Sequence, residues 1–372
     1  MYESLIKIRN KVIRFFYKNL IKPILFQIDP EIVHDHMIKF AEFLSNYKTI
    51  KKLTSLLFNY KNKKLEQNIL GIKFQNPVGL AAGFDKNGQL TQILNEVSFG
   101  FMEVGSITGN SCKGNPKPRL WRLPKSKSLL VYYGLKNNGS EEISKRTRKL
   151  KFKIPVGISI AKTNDKKTVT VEAGIKDYIK VYKKFLDIGS YIIINISCPN
   201  AFGGQPFNTK ERLNKLLKEI KKLKPNKPIF LKLSPDLTKK QVDDIIDLSF
   251  RYNIKGLIAS NLTKNRDNKK IIEKNIPEKG GLSGKVLEDL SNELISYIYN
   301  KTKGKLIIIG CGGIFSAEDA YKKIKAGASL LQLITGMIYE GPQLISEINQ
   351  GLATLLKNDH YSNIKEAIGK NS

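Results

Sequence analysis

Residues 191–200 read YIIINISCPN. A short apolar run rich in β-branched residues gives way at once to Asn195, Ser197, Cys198, Pro199 and Asn200. A run this brief and this uniformly apolar predicts a strand covered on both faces, as parallel strands between helices are, and the switch to polar residues marks its carboxyl end. In a parallel barrel that end is where working groups belong.

The same unit recurs on both sides of it. PVGLAA (77–82), FMEVGS (101–106) and PVGISIA (155–161) precede it, and PIFLKLS (228–234), GLIAS (256–260), LIIIG (306–310) and SLLQLIT (329–335) follow, with charged helical stretches between. Eight such strands over roughly 290 residues predict a closed (β/α)8 TIM barrel, a fold usually near ~250 residues long. An open doubly wound α/β sheet is the alternative architecture.

The barrel reading makes a sharp demand, because active sites lie at the carboxyl face. Strand one leads into AGFDKNG with Lys86; strands two and three end at Ser106 and Ser159, with Lys162 beyond; strand four delivers Asn195 and Cys198. Ser260 and Asn261 end strand six, GCGG follows strand seven, and Thr335 and Gly336 end strand eight. Lys232 stands in the middle of FLKLS. A lysine flanked by apolar residues is costly to bury unless a partner or a ligand takes its charge, so it asks for an anionic or acceptor-rich ligand. The segments GCGGIFSAEDA (310–320), TGMIYEGP (335–342) and GGLSG (280–284) can supply a phosphate cradle, with Gly312 and Gly313 admitting close backbone approach and Ser316 capping the next helix. No strand-linked GxGxxG or GxxxxGK[ST] is present, which disfavours a dinucleotide or a nucleoside triphosphate and leaves a phosphorylated cofactor of another kind.

Composition bounds the rest. The chain has 372 residues, 41% of them hydrophobic, enough for a sizeable core. Its three cysteines, Cys112, Cys198 and Cys311, lack paired or metal-ligand spacing, so the expectation is reduced thiols and no metal site. A formal charge of +31 suits a polyanion partner, but the lysines run through almost every segment and no nucleic-acid-binding motif accompanies them. No nucleic acid is expected. At the N-terminus, Leu5, Ile8, Val12, Phe15, Phe16 and Leu20 fall at helical spacing among Lys7, Lys11, Arg14, Lys18 and Lys22, and residues 31–60 give a second helical pattern. No apolar run approaches the ~18 residues that span a bilayer. The pattern by itself reads as two helices packed on a domain, the other reading being a helical pair resting in a membrane interface.

Several blocks, in order, carry a resemblance. FQIDPEIVHDHM, NPVGLAAGFDKNG, KPRLWRLP, NISCPN, LKLSPDL, GGLSGKVL, IIGCGGI and AGASLLQL make the chain similar to the dihydroorotate dehydrogenase family, in its membrane-associated, quinone-reducing class. The resemblance covers nearly the whole chain. It implies an FMN-binding barrel over 67–372 and, over 1–66, a helical extension that docks on the membrane and forms a quinone tunnel, in place of the plain packing that the pattern suggests. It implies oxidation of dihydroorotate to orotate in de novo pyrimidine biosynthesis, with electrons passed through FMN to a membrane quinone, by a monomer peripheral to the cytoplasmic face of the cell membrane. Cys198 would be the base, with Lys86 and Asn195 also catalytic. FMN would be held by Ala82, Gly83, Lys86, Ser106, Ser159, Asn195, Lys232, Ser260, Gly284, Gly313, Ile334 and Thr335; the substrate by Lys86, Asn195, Asn200 and Asn261; and His34 and Arg122 would line the quinone path.

The chain also departs from the family pattern. The quinone class is expected to carry a serine where Cys198 stands, the cysteine being typical of the soluble classes; a thiol near pKa ~8.5 needs far less help than an alcohol to act as a base. Val131 and Leu262 stand where an asparagine and a threonine would contact the pyrimidine, Ser159 where an asparagine would contact FMN, and Ile334 where a tyrosine would lie near the quinone. Losing two polar contacts weakens selectivity for a polar substrate. A paralogous FMN oxidoreductase acting on a less polar compound is therefore the alternative. A non-catalytic binding protein is the third reading, and retention of Lys86, Asn195, Cys198, Asn200 and Lys232 argues against it.

Overall fold

The computed structural model describes residues 2–204 and 207–371. Each of the eight apolar runs forms a parallel strand: β1 (Val78–Leu80), β2 (Phe101–Ile107), β3 (Val156–Ile160), β4 (Tyr191–Asn195), β5 (Ile229–Lys232), β6 (Gly256–Ala259), β7 (Ile307–Cys311) and β8 (Leu330–Leu333). They close in chain order into a barrel, β8 pairing back onto β1 through Leu331 and Val78. The open-sheet alternative is thereby excluded.

Side-chain size explains how the amino end of the barrel is filled. Phe101, Tyr191 and Phe230 each occupy the space left by a glycine on the preceding or following strand: a Cβ on Gly79, Gly157 or Gly256 would lie 2.4, 2.4 and 2.5 Å from the respective ring. A hairpin of Gln67–Ile69 and Ile72–Phe74 closes that end, Phe74 meeting Phe101 edge to face at 5.4 Å. Higher in the interior, Glu103 and Gln332 are fully buried. Burial pushes the Glu103 carboxyl up, and nearby Lys232 pulls it back only in part. With the amino end sealed by aromatic rings, the carboxyl end is left for ligands.

Helices α5 (Ser140–Arg148), α6 (Val171–Lys184), α7 (Lys210–Lys222), α8 (Lys239–Arg251), α9 (Glu288–Thr302) and α10 (Ala317–Lys325) follow β2 to β7 in turn, and α11 (Thr335–Glu340) and α12 (Leu344–Asn358) follow β8. The link from β1 to β2 carries only a 3-10 turn, Leu94–Val97. A three-stranded antiparallel sheet of Leu120–Leu123, Ser128–Val131 and Gly281–Gly284 is added beside the carboxyl end. Sequence periodicity gave no sign of it, because its strands are four residues each and belong to two distant loops.

The N-terminal segment holds four helices, more than the two patterns predicted: α1 (Tyr2–Phe16), α2 (Lys22–Gln27), α3 (Pro30–Leu44) and α4 (Lys48–Phe58). A π-turn over Tyr17–Ile21 joins the first two, the Lys22 amide donating to the Tyr17 carbonyl. Pro23 lies one residue on, and having no N–H it cannot continue the ordinary ladder. Helix α3 starts where Asp29 accepts from the amides of Glu31 and Ile32, with Pro30 at its first position. Helix α1 lies along α12 through polar contacts: Arg9 and Asn10 both donate to the Ser346 hydroxyl, and Arg14 pairs with Glu347. Leu5, Val12, Phe15, Phe40, Phe43 and Leu56 face outward on these helices. Among the described residues no helix is long and apolar enough to cross a membrane.

Candidate active site

A deep cleft opens at the carboxyl ends of the strands, with about 1280 Å³ of empty space including its mouth. Its lining includes Ala82, Gly83, Lys86, Ser106, Asn195, Lys232, Ser260, Gly284, Gly313, Ile334 and Thr335, together with Cys198, Asn200, Asn261 and His34. The barrel thus gathers into one space residues spread over 300 positions of sequence, from His34 to Thr335.

The floor is a chain of short hydrogen bonds tying four strand ends together. Ser159 exchanges a hydrogen bond with Ser106 (2.7 Å), Asn195 Nδ2 donates to Ser106 Oγ (2.8 Å), the Ser197 amide and hydroxyl donate to Asn195 Oδ1, and Asn261 Nδ2 donates to Ser197 Oγ (2.9 Å). From α6, Tyr178 donates to the Asn195 carbonyl at 2.7 Å. Asn195 is fixed on every side, which is what a side chain that orients a ligand requires. Ser159 does not reach the cleft: it is fully buried behind Ser106 and acts through it.

Beside this floor stand Cys198 and Asn200. The Asn200 side chain is 8% exposed; its Nδ2 donates to the Val131 carbonyl at 2.8 Å, while its Oδ1 is buried with no partner. An orphaned buried acceptor at the edge of a cleft is ready for an N–H of a ligand. Burial pushes the Cys198 thiol up, while the backbone amides of Asn200 and Ala201 and the nearby Lys162 pull it down. Across the cleft, the half-buried Lys86 ammonium lies 3.3 Å from His34 Nε2 and 4.2 Å from the centre of the Tyr133 ring. Burial lowers Lys86 to about 7.

His34 is itself held. Its Nε2 is 2.9 Å from the Phe84 carbonyl and its Nδ1 is 3.1 Å from Asp35. Burial and then Lys86 lower its pKa, favouring the neutral ring. With Nδ1–H donating to Asp35, Nε2 is left to accept from Lys86; the opposite tautomer serves Phe84. Behind it, Glu31 of α3 takes two hydrogen bonds from Arg119 (3.0 and 2.7 Å) and one from Lys136 (3.0 Å), and Lys136 also reaches Asp35 at 2.9 Å. Sequence reasoning missed Tyr133 and Lys136, whose role depends on a long-range pairing between α3 and the loop after Val131.

Arg122 lies outside the lining. It donates to the carbonyls of Phe26 and Ile28 and stacks over the Phe26 ring at 4.6 Å. The cleft wall on that side is apolar, with Leu120, Leu129, Phe315, Ile334 and Ile338. Val131 and Leu262 also line the cleft.

The opposite end suits a phosphate. Gly284 has φ +101 and Gly313 φ +72; a Cβ at Gly313 would lie 2.4 Å from the Glu288 backbone and one at Gly284 2.5 Å from the Lys127 carbonyl. Only glycine brings the backbone this close and this turned. Ser283 and Thr335 hydroxyls share a hydrogen bond (2.9 Å) between them, and Ser316 caps α10 by accepting from the Asp319 amide. Lys232, 3% exposed, makes no ion pair or hydrogen bond among the described residues. These are the features of a site for a phosphorylated ring: a buried lysine that makes no hydrogen bond of its own, a glycine cradle and an orphaned acceptor.

Known proteins similar to this chain share its fold. The dihydroorotate dehydrogenase family profile matches residues 64–356. The chain is 38% identical to the dihydroorotate dehydrogenase (quinone) of Trichodesmium erythraeum, over 95% of this chain and 98% of that protein. It is 42% identical to the protein of the same name from Christiangramia forsetii, over 90% and 98%. Ligand-free DHODH from Eimeria tenella superposes with a TM-score of 0.83 at 31% identity, over 92% of this chain and 99% of that one.

Proposed function

The chain belongs to the dihydroorotate dehydrogenase family, and on that footing we propose that it oxidises dihydroorotate to orotate in pyrimidine biosynthesis with a quinone as acceptor, Cys198 taking the substrate proton. The observation that carries this is the meeting, in one cleft, of a partly exposed thiol, a buried lysine and three asparagines with a cradle for a phosphorylated ring.

The cofactor is a flavin, and we assign it as FMN. Gly284, Gly313 and Thr335 would hold its phosphate, and Lys232, Ser106, Asn195, Ser260, Ala82 and Gly83 would flank its ring. Bound there, it supplies the acceptor for substrate hydride and the electrons for the quinone. The chain's own part is positioning and proton handling. Lys86 faces the substrate carboxylate; Asn195, Asn200 and Asn261 fix the ring amides; Cys198 Sγ takes the proton from the carbon next to the hydride donor. The less polar substrate remains the second reading, and the apolar Val131 and Leu262 in the lining favour it.

Helices α1 to α4, within residues 1–66, are the membrane-docking and quinone-access unit of this reading, and 67–372 the FMN barrel. Its support is the outward face of Leu5, Val12, Phe15, Phe40, Phe43 and Leu56, with Lys7, Lys11 and Lys18 close by, and the apolar wall that runs from the cleft toward Phe26. His34 stands at the mouth of that passage, and Arg122 orders its rim through α2.

The test is a two-step titration of the flavin-loaded protein without oxygen. L-Dihydroorotate should bleach the flavin, and a short-chain quinone should restore its colour. Recovery with fumarate or a nicotinamide nucleotide and not with quinone would contradict the assignment.

A further inference from the structure

Beside the main cleft, and sharing Leu135, Asn195 and Cys198 with its lining, lies a second small cavity. It is lined by Cys198 itself and by Leu135, Ala161, Lys162, Tyr178, Ala201 and Phe207. Lys162 follows β3 by two residues and is 3% exposed. Its ammonium carries three protons, and its one hydrogen bond among the described residues goes to the Phe202 carbonyl at 2.8 Å. It has no carboxylate partner there. Asp177 of α6 is spent on the Thr163 amide and hydroxyl and the Gly109 amide, and Asp165 on the Thr168 amide. The Tyr178 hydroxyl is spent on the Asn195 carbonyl. A buried ammonium without a carboxylate therefore shares a cavity with a thiol.

We propose that Lys162 is a positioning residue for the proton step, its ammonium acting as the counter-ion that lets the half-buried Cys198 thiol ionise. This rests on Cys198 being the base. Burial alone disfavours both charges, raising the thiol and lowering the lysine, and each charge draws the other back toward the ionised pair. Asp165 and Asp177 bear on Lys162 in the direction that keeps it protonated, and Cys112 bears on Cys198 in the opposite sense to Lys162. Tyr178 is raised by burial and stays neutral.

In the step itself, the thiolate Sγ forms a bond to the substrate proton as that C–H bond breaks. The electron pair left on carbon becomes the new C=C bond while the neighbouring carbon loses hydride to the flavin, the oxidant of the family's reaction. The thiol afterwards releases the proton to water, and Lys162 keeps its own proton throughout.

The experiment uses the full-length, flavin-loaded chain as wild type, Lys162→Met, Lys162→Gln, Lys162→Arg and Cys198→Ala. Two profiles are measured against pH: iodoacetamide alkylation of Cys198 without substrate, read on its peptide by mass spectrometry, and anaerobic bleaching by L-dihydroorotate. Lys162→Met should move both ascending limbs up by about one pH unit or more, a roughly tenfold loss of rate on the limb, with KM changed little and Arg restoring the wild-type position. The glutamine variant keeps a donor for Phe202 and is read the same way if the methionine variant does not fold. An alkylation profile left in place by Met or Gln overturns the proposal. Bleaching that survives Cys198→Ala instead overturns the base assignment beneath it, and a silent Cys198→Ala beside an unmoved alkylation profile overturns Lys162 alone.

Discussion

The ammonium of Lys86 sits 4.2 Å over the Tyr133 ring and 3.3 Å from the His34 imidazole, so the two groups nearest it can accept from it without neutralising it. Burial accordingly lowers Lys86 from 10.5 to about 7. Because the folded value lies below the unfolded one, the cost of burying this charge is present below about pH 7 and is relieved as pH rises toward 10.5. A bound carboxylate should reverse this and draw a proton onto Lys86. Calorimetry of orotate binding in buffers of different ionisation enthalpy should show almost no proton uptake at pH 6 and uptake approaching one proton at pH 8.5, and Lys86→Met should abolish the difference.

Glu31 and Arg119 join α3 to the sheet beside the cleft. Burial opposes the Glu31 charge, but hydrogen bonds from Arg119 and Lys136 outweigh it and hold the carboxyl at about 2. Its folded value is depressed, so the stability it contributes is present above about pH 4.5 and is lost as pH falls toward 2. Arg119→Met should lower the unfolding free energy by about 3–5 kcal/mol, because it leaves Glu31 a buried charge with a weaker partner. Glu31→Gln added to it should recover part of that loss in urea denaturation.

The amino end of the barrel depends on glycine facing aromatic rings. Gly157→Ala would place a methyl 2.4 Å from the Tyr191 ring, at a cost of about 1–3 kcal/mol. Combined with Tyr191→Leu, the same substitution should cost less, and equal costs in urea denaturation would contradict the packing described.

Much of this was legible in the sequence. The eight β-branched runs mark the strands because a strand buried on both faces cannot alternate, and the polar residues at their ends mark the cleft. Depth was not legible. Ser159 has the residue type and strand position of a ligand contact, yet its hydroxyl points at Ser106. Arg122 was expected near the quinone path, and it lies on the added sheet against the α2 backbone, off the cleft lining. The network of Glu31, Asp35, Lys136 and Arg119 spans about a hundred positions of sequence, and no local pattern announces such a pairing. Lys162 was visible only as a lysine past a strand end; the cavity it shares with Cys198 needs the third dimension.

Val131 and Leu262 bring apolar side chains to the substrate end of the cleft. Restoring polar groups with Val131→Asn and Leu262→Thr should lower the KM for dihydroorotate, since two hydrogen bonds at about 1 kcal/mol apiece amount to roughly thirtyfold. A raised KM in the double variant would count against the reading that these two positions have turned the cleft toward a less polar compound.

The most direct test of the account is the rate of anaerobic flavin bleaching by L-dihydroorotate in wild type and Cys198→Ala. With Cys198 as the base, bleaching in the alanine variant should fall by about 10²–10⁴-fold while the bound flavin's spectrum and orotate affinity stay near wild type. Bleaching at the wild-type rate in Cys198→Ala, or a wild-type flavin that dihydroorotate leaves yellow, would contradict it.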